Sequence, residues 1–276
     1  MKVLKFGGSS LADAQRYLRV TEISLSTHQT GGAAVVLSAP KGVTNALSLL
    51  CEQAARHEDF MPLFDKLEAL LTGIARELHG ELNGFAYEAI ATFIDTQLVR
   101  LKEQLEGIRL LGVAPDPVAA TILSLGEYVS VNLFSAILSA KGVNNRVVDP
   151  VTYILAEGDY LDSIADVSLS KARFTDIPTD GSTLLVMPGF VAANEEGEKV
   201  TLGRNGSDYS AAVLAACIDA DCCEIWTDVD GVYNADPNQV EGAVLLDKLT
   251  YQEAMELSYF GAKVLHPKTI GPIAQH

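Results

Sequence analysis

The sequence predicts an α/β fold in a single large domain, and three observations carry that expectation. Short uncharged runs such as Ala33 to Leu37 read as strands covered by helices on both faces. Between the strands the apolar residues recur with helical periodicity. Strand after strand stops at Gly, Ser, Thr, Asp or Lys, the arrangement of a sheet whose ligands lie beyond its carboxyl edge. With 276 residues, 48% hydrophobic and 20% charged, the chain has enough apolar material for one extensive core.

A formal net charge of −16 repels nucleic acid and anionic membrane alike, so neither is an expected partner, and any anionic ligand must be held by local positive charges. Cys51, Cys217, Cys222 and Cys223 show no metal-ligand spacing; three of them sit in apolar runs and all read as reduced thiols. The opening Met-Lys-Val-Leu-Lys-Phe-Gly-Gly reaches glycine too soon for a signal peptide, and no run reaches the ~18 apolar residues of a membrane span. A cytoplasmic protein is expected.

Val3 to Phe6 is a short strand that runs into Gly7-Gly8-Ser9-Ser10, with a helix expected from about Ala12. A phosphate approaches such a turn closely because glycine has no Cβ, and Lys5 adds an ammonium beside it. The loop matches neither the Walker pattern nor the Rossmann fingerprint. Ala33 to Leu37 ends in Ser38-Ala39-Pro40-Lys41-Gly42-Val43-Thr44-Asn45, where Ser38 is the better site candidate and Thr44 or Asn45 reads equally well as a helix cap.

From Ala46 to about Leu111 the pattern is helical, interrupted by Pro62, Gly73, Gly80 and Gly84, and ended by Pro115 and Pro117. Val118 to Ala140 then reads as one long buried helix, so the helical excursion covers about 46–141. The single acidic residue of Val118 to Ala140, Glu127, is either a helix-surface group or the counter-charge to a substrate cation. Asn145 to Asp149 is a strand, a short helix is expected through Ser168 to Phe174, and Thr183 to Val191 is again a strand. Asn194-Glu195-Glu196-Gly197 turns a hairpin into Lys199 to Leu202.

The densest polar constellation is Leu-Gly-Arg-Asn-Gly-Ser-Asp-Tyr-Ser-Ala, residues 202–211, at the start of a buried helix from Tyr209 to Ile218. Backbone N–H groups at a helix start favour an anion, and Arg204 offers a planar fork to a carboxylate or phosphate. The plainer alternative makes Ser207 or Asp208 a helix cap and the glycines turn residues. Cys222 to Trp226 is a further buried strand, followed by a loop of acceptors from Thr227 and Asp228 to Asp236-Pro237. Tyr251 to Tyr259 is helical, and a glycine-adjacent lysine, Lys263, comes late in the chain; His266 before a proline reads as a turn residue.

Four stretches together, Lys5-Phe6-Gly7-Gly8-Ser9-Ser10, Gly203-Arg204-Asn205-Gly206-Ser207-Asp208-Tyr209-Ser210, Trp226-Thr227-Asp228-Val229-Asp230-Gly231-Val232-Tyr233 and Phe260-Gly261-Ala262-Lys263-Val264-Leu265-His266-Pro267, resemble the aspartokinases of the amino acid kinase superfamily. The likeness runs over nearly the whole chain, is weakest in the helical excursion, and looks most like the kinase portion of a bifunctional aspartokinase/homoserine dehydrogenase. It implies a three-layer αβα sandwich with a mainly parallel central sheet, spanning residues 1–276. It also implies conversion of ATP and L-aspartate to ADP and 4-phospho-L-aspartate with Mg2+, the first step toward the aspartate-derived amino acids, and a homo-oligomer.

Carried over by position, the resemblance puts Lys5 and Asp208 at the reacting groups and Gly7, Gly8 and Ser9 around the phosphate, with Ser9 standing where the family usually has threonine. Ser38, Thr44 and Ser207 fall by the aspartate, Arg204 on its α-carboxylate and Glu127 on its ammonium. Thr227, Asp228, Tyr233 and Lys263 fall at the nucleotide. Asn238 departs from the pattern, since an arginine often follows that Asp-Pro. The family continues beyond the position of His276 into further strands and regulatory domains, so the chain is expected to be a fragment whose open sheet edge promotes self-association. The rival expectations are a glutamate or acylated amino acid kinase of the same superfamily and a non-catalytic assembly domain.

Overall fold

The computed structural model describes residues 1–235, 240–259 and 267–274. The first half runs β1 (Lys2–Phe6), α1 (Ala14–Gly31), β2 (Ala33–Leu37), α2 (Val43–Ala55), α3 (Met61–Glu81), α4 (Tyr87–Leu111), α5 (Asp116–Leu123) and α6 (Leu125–Ala140). The second runs β3 (Asn145–Val147), α7 (Pro150–Tyr153), β4 (Ala156–Glu157), β5 (Ile164–Ala165), α8 (Val167–Lys171), β6 (Leu184–Pro188), β7 (Val191–Ala193), β8 (Lys199–Thr201), α9 (Gly206–Cys217), β9 (Cys222–Trp226), α10 (Tyr251–Tyr259) and α11 (Pro267–Ala274).

The central sheet has the order β3-β6-β2-β1-β9, with every pairing parallel. Period-two alternation divides β1, β2 and β6 between two cores. Leu4, Phe6, Val35, Leu37, Leu184 and Val186 face α1 and the helical excursion. Val3, Ala34, Val36, Leu185 and Met187 face α9 and the segments around β7 and β8. Helices therefore cover both faces, giving the three-layer α/β arrangement. The alternation also sends Lys5 to the α9 side, at a position only 9% exposed.

Several sequence expectations are corrected. α1 starts at Ala14, capped by the Asp13 carboxylate accepting from the Arg16 N–H, because a 3-10 turn over Gly8–Leu11 comes first. Gly73 and Gly80 lie inside α3, whose buried Phe64, Leu67, Leu71, Ile74 and Leu78 hold the helix together through them. The expected helix of Val118 to Ala140 is two helices parted at Ser124. The segment Asp116–Ala140 is long and apolar enough to cross a bilayer, contrary to the expectation of no such run, but 67% of its most apolar window is buried inside the fold. The strand expected over Thr183 to Val191 breaks at Gly189-Phe190, where Phe190 takes a positive φ of 71°. β9 is not buried: Cys222 and Trp226 are exposed and Cys223 is half-buried, while Cys51 and Cys217 are buried; all four thiols are free.

Candidate active site

The carboxyl ends of β1, β2 and β6 open into one cleft of about 870 Å³. Lys5, Gly8, Ser9, Ser38, Thr44, Glu127, Arg204, Ser207 and Asp208 all line it. Nine of the sequence-predicted residues thus converge from four separate segments of the chain. Gly7 belongs to the same turn, with the Lys5 ammonium about one van der Waals contact, 3.4 Å, from where a Cβ at Gly7 would stand.

At the centre, Lys5 Nζ lies 2.5 Å from Asp208 Oδ1, with both side chains largely buried. β1 delivers the lysine and the first turn of α9 the aspartate. Asn205 in a left-handed conformation starts that helix without a side-chain cap, so Ser207 and Asp208 are not caps and their polar groups are free to face the cleft. Thr44 is likewise no cap: Gly42 starts α2, and Thr44 stands in its first turn on the cleft wall.

Glu127 sits in the first turn of α6 and is 3% exposed, so the helix-surface reading fails. Its Oε2 is buried without a hydrogen-bond partner. Desolvation pushes the carboxyl up to about 8, against the pull of its own N–H, the Ala39 N–H and the Lys5 charge. The neighbourhood is tight by construction, since a Cβ at Gly126 would lie 2.5 Å from the Ala39 Cβ. Tyr17, fully buried and donating to Ser130 Oγ at 2.9 Å, closes this side, its phenol pushed up by burial and by Glu127.

Arg204 is exposed within the cleft and has no ion-pair partner among the described residues. Its loop is pinned by Asp162: Gly203 has φ 73°, and a Cβ there would overlap the Asp162 carboxylate. Asp162 also pairs with Lys268 of α11, which lines the cleft as well. Neither residue was singled out from sequence, because the pair joins positions 106 apart with no local pattern to mark them. Lys41 was visible in the loop after β2 but carried no assigned role; it too lines the cleft.

Thr227 and Asp228 are not in this cleft. They line an adjoining cavity of about 380 Å³ with Phe6, Arg16 and Trp226, and Ser9 and Lys41 belong to both walls. Phe6 and Trp226, paired across β1 and β9, stack there with ring centroids 5.8 Å apart. Tyr233 lines neither cavity; its hydroxyl donates to Asp230 at 3.2 Å. Lys263, Asn238 and His266 lie outside the described residues.

A parallel sheet with two lysine-bearing glycine and proline loops, a buried carboxyl and an arginine at one carboxyl edge has a counterpart among known proteins. A protein-family model described as the amino acid kinase family matches residues 1–276. The chain belongs to the amino acid kinase family. Within it, the chain is 46% identical over 276 residues to a bifunctional aspartokinase/homoserine dehydrogenase of Buchnera aphidicola, covering 100% of this chain and 34% of that protein. It is 34% identical over 274 residues to lysine-sensitive aspartokinase 3 of Escherichia coli, covering 98% of this chain and 58% of that one. The crystal structure of E. coli aspartokinase III in complex with aspartate and ADP superposes with a TM-score of 0.89 at 31% identity, over 100% of this amino acid kinase chain and 60% of that one. The chain thus spans about a third of the length of the bifunctional relatives it matches.

Proposed function

We propose that this chain phosphorylates the side-chain carboxylate of L-aspartate with ATP, giving 4-phospho-L-aspartate and ADP. The observation that carries the reading is Glu127: a buried carboxyl in the cleft wall whose Oε2 has no hydrogen-bond partner. A buried polar atom in that state calls for a donor, and the ammonium of a free amino acid supplies one. Arg204 in the same cleft complements the α-carboxylate two bonds at a time. An acylated substrate has no ammonium and leaves Glu127 unanswered. The aspartokinase relatives and the aspartate–ADP complex among the similar structures support the same substrate pair.

No general base is required. The attacking side-chain carboxylate, with a pKa of about 4, is ionised at neutral pH. Its oxygen forms a bond to the terminal phosphorus of ATP while the bond from that phosphorus to the bridging oxygen breaks, and ADP leaves with that electron pair. The obstacle is repulsion, since two unit charges ~4 Å apart cost about 4 kcal/mol at an effective dielectric of ~20. Lys5 offsets that repulsion at the transferring phosphate, Asp208 holds the lysine in place, and the Gly7-Gly8 backbone admits the phosphate beside the Ser9 hydroxyl. Ser38, Thr44 and Ser207 position the aspartate, Thr227 and Asp228 in the adjoining cavity hold the nucleotide, and the motif resemblance alone adds Tyr233 and Lys263 to that role.

Among the described residues no three His, Cys, Asp or Glu side chains gather as a metal cage, and Asp208 is committed to Lys5. Magnesium would therefore enter with the nucleotide and not on a carboxylate cage of the wall, and it would withdraw negative charge from the phosphates. We also infer a homo-oligomer, whose mass light scattering measures. A coupled assay for ADP release tests the central reading: turnover with L-aspartate, and none above background with L-glutamate or N-acetyl-L-aspartate, is expected. Preference for either alternative substrate overturns it.

A further inference from the structure

Among the described residues, four cations line the cleft, Lys5, Lys41, Arg204 and Lys268, against three carboxyl groups, Glu127, Asp162 and Asp208. Two of the cations are paired within the wall, Lys5 with Asp208 and Lys268 with Asp162. Arg204, on the reading above, answers the substrate α-carboxylate. Glu127, which feels the Lys5 charge but forms no ion pair with it, is on the reading above the partner of the substrate ammonium. Lys41 is the remaining charge: exposed, and with no ion-pair partner among the described residues.

Its placement is specific. Lys41 lies between Pro40 and Gly42, the left-handed residue (φ 84°) from which α2 starts. Its backbone rests on the glycine turn, since a Cβ at Gly8 would lie 2.8 Å from the Ala39 carbonyl oxygen and 3.4 Å from the Lys41 nitrogen. Among the described residues, Lys41 and Ser9 alone line both the main cleft and the adjoining cavity that holds Thr227 and Asp228. A nucleotide held at Thr227 and reacting at Lys5 must run its phosphate chain across that junction.

We propose that Lys41 binds the nucleotide phosphate chain at the junction of the two cavities, a second phosphate lysine beside Lys5. The inference rests on the ATP-dependent reading of the cleft. A polyphosphate brings several negative charges, while the Lys5 charge is already shared with Asp208, so an ammonium without an ion-pair partner at this point meets a need that the other described groups of the wall leave open. A flexible four-carbon stem lets it follow the phosphate during transfer. That is a reason for lysine at a turn whose backbone is fixed against Gly8.

The test is titration calorimetry of the 276-residue chain with ATP, together with steady-state kinetics, for the wild type, Lys41→Gln, Lys41→Met and Lys41→Arg. Loss of one charge-assisted contact predicts about tenfold weaker ATP binding and a matching rise in KM for ATP in Lys41→Gln and Lys41→Met. KM for aspartate should stay unchanged, and Lys41→Arg should recover most of the ATP affinity. Because the side chain is exposed, thermal melts of all four should coincide. Wild-type ATP affinity in both neutral variants overturns the proposal, and so does an equal loss of aspartate affinity, which moves Lys41 to the other half of the cleft. A wild type that binds no ATP fails the parent reading itself and takes this inference with it.

Discussion

Lys5 and Asp208 meet at 2.5 Å across the interface between the first strand and the ninth helix, each largely shielded from water. Lys5→Ala removes the charge at the transferring phosphate and strands a shielded carboxylate. A fall in kcat of about 10²–10³ is expected from the lost electrostatic stabilisation, with about 3 kcal/mol of stability lost alongside. Asp208→Asn should cost less activity and leave the shape of the pH–rate profile intact, because no base is removed. Disappearance of a basic limb in Asp208→Asn would reverse the assignment.

Glu127 gives the aspartate site a pH dependence. Below about 8 the empty site holds a neutral carboxyl. Binding an ammonium favours the ionised form, so the aspartate KM should fall as pH rises toward 8, by up to about tenfold per unit well below that value. Glu127→Gln should raise KM and flatten the slope. Stability runs the other way: the folded chain keeps a proton that the unfolded chain releases above 4.5, so this contribution is lost as pH climbs from 4.5 through about 8. Measuring KM for aspartate and urea midpoints at several pH values checks both signs.

Arg204→Ala should raise KM for aspartate by about 10- to 100-fold, as expected for loss of a bidentate charged contact. ATP affinity should change little. Equal losses for both ligands would place the guanidinium on the nucleotide instead.

Gly203→Ala should destabilise the fold twice over. Its φ of 73° disfavours a side chain, and the new methyl would occupy the space of the Asp162 carboxylate. A loss of about 2 kcal/mol is expected, of which about 1 remains when Asp162 is also changed to alanine, because only the backbone cost is left. Additive losses in the double variant, read from denaturant midpoints, would show that the two residues do not crowd each other.

Much of this site was legible because parallel strands bury their middles and spend their polar residues at the ends. Gly7 to Ser10 after β1 and Ser38 to Thr44 after β2 are visible as abrupt changes from apolar to polar sequence, and the 203–208 loop as a dense polar run before a helix. Burial of Glu127 was not decided by pattern, since a lone carboxyl in an apolar helix fits either side until the Ala39 loop is seen against Gly126. The break at Ser124 hides in an apolar stretch with buried residues on both sides of it. Asp162 and Lys268 are charged residues in unremarkable surroundings, and only the fold brings them together. The four motifs that carry the aspartokinase resemblance supplied what composition alone did not, the substrate proposed above.

Sheet order also bears on how the chain is made. β1 leaves the ribosome before the other described strands of the sheet, and β2 covers one of its edges after α1. Its other edge waits for β9, with Lys2 opposite Cys222, 220 residues later (222 − 2). At translation rates of roughly 5–20 residues per second, that gap lasts on the order of 10–40 s. For that interval the nascent chain carries a half-paired apolar strand with Lys5 still lacking Asp208, an exposed edge of the kind that chaperones shield. Cotranslational misassembly, more than loss of the finished fold, is therefore where destabilising changes in β1 or β9 should first tell.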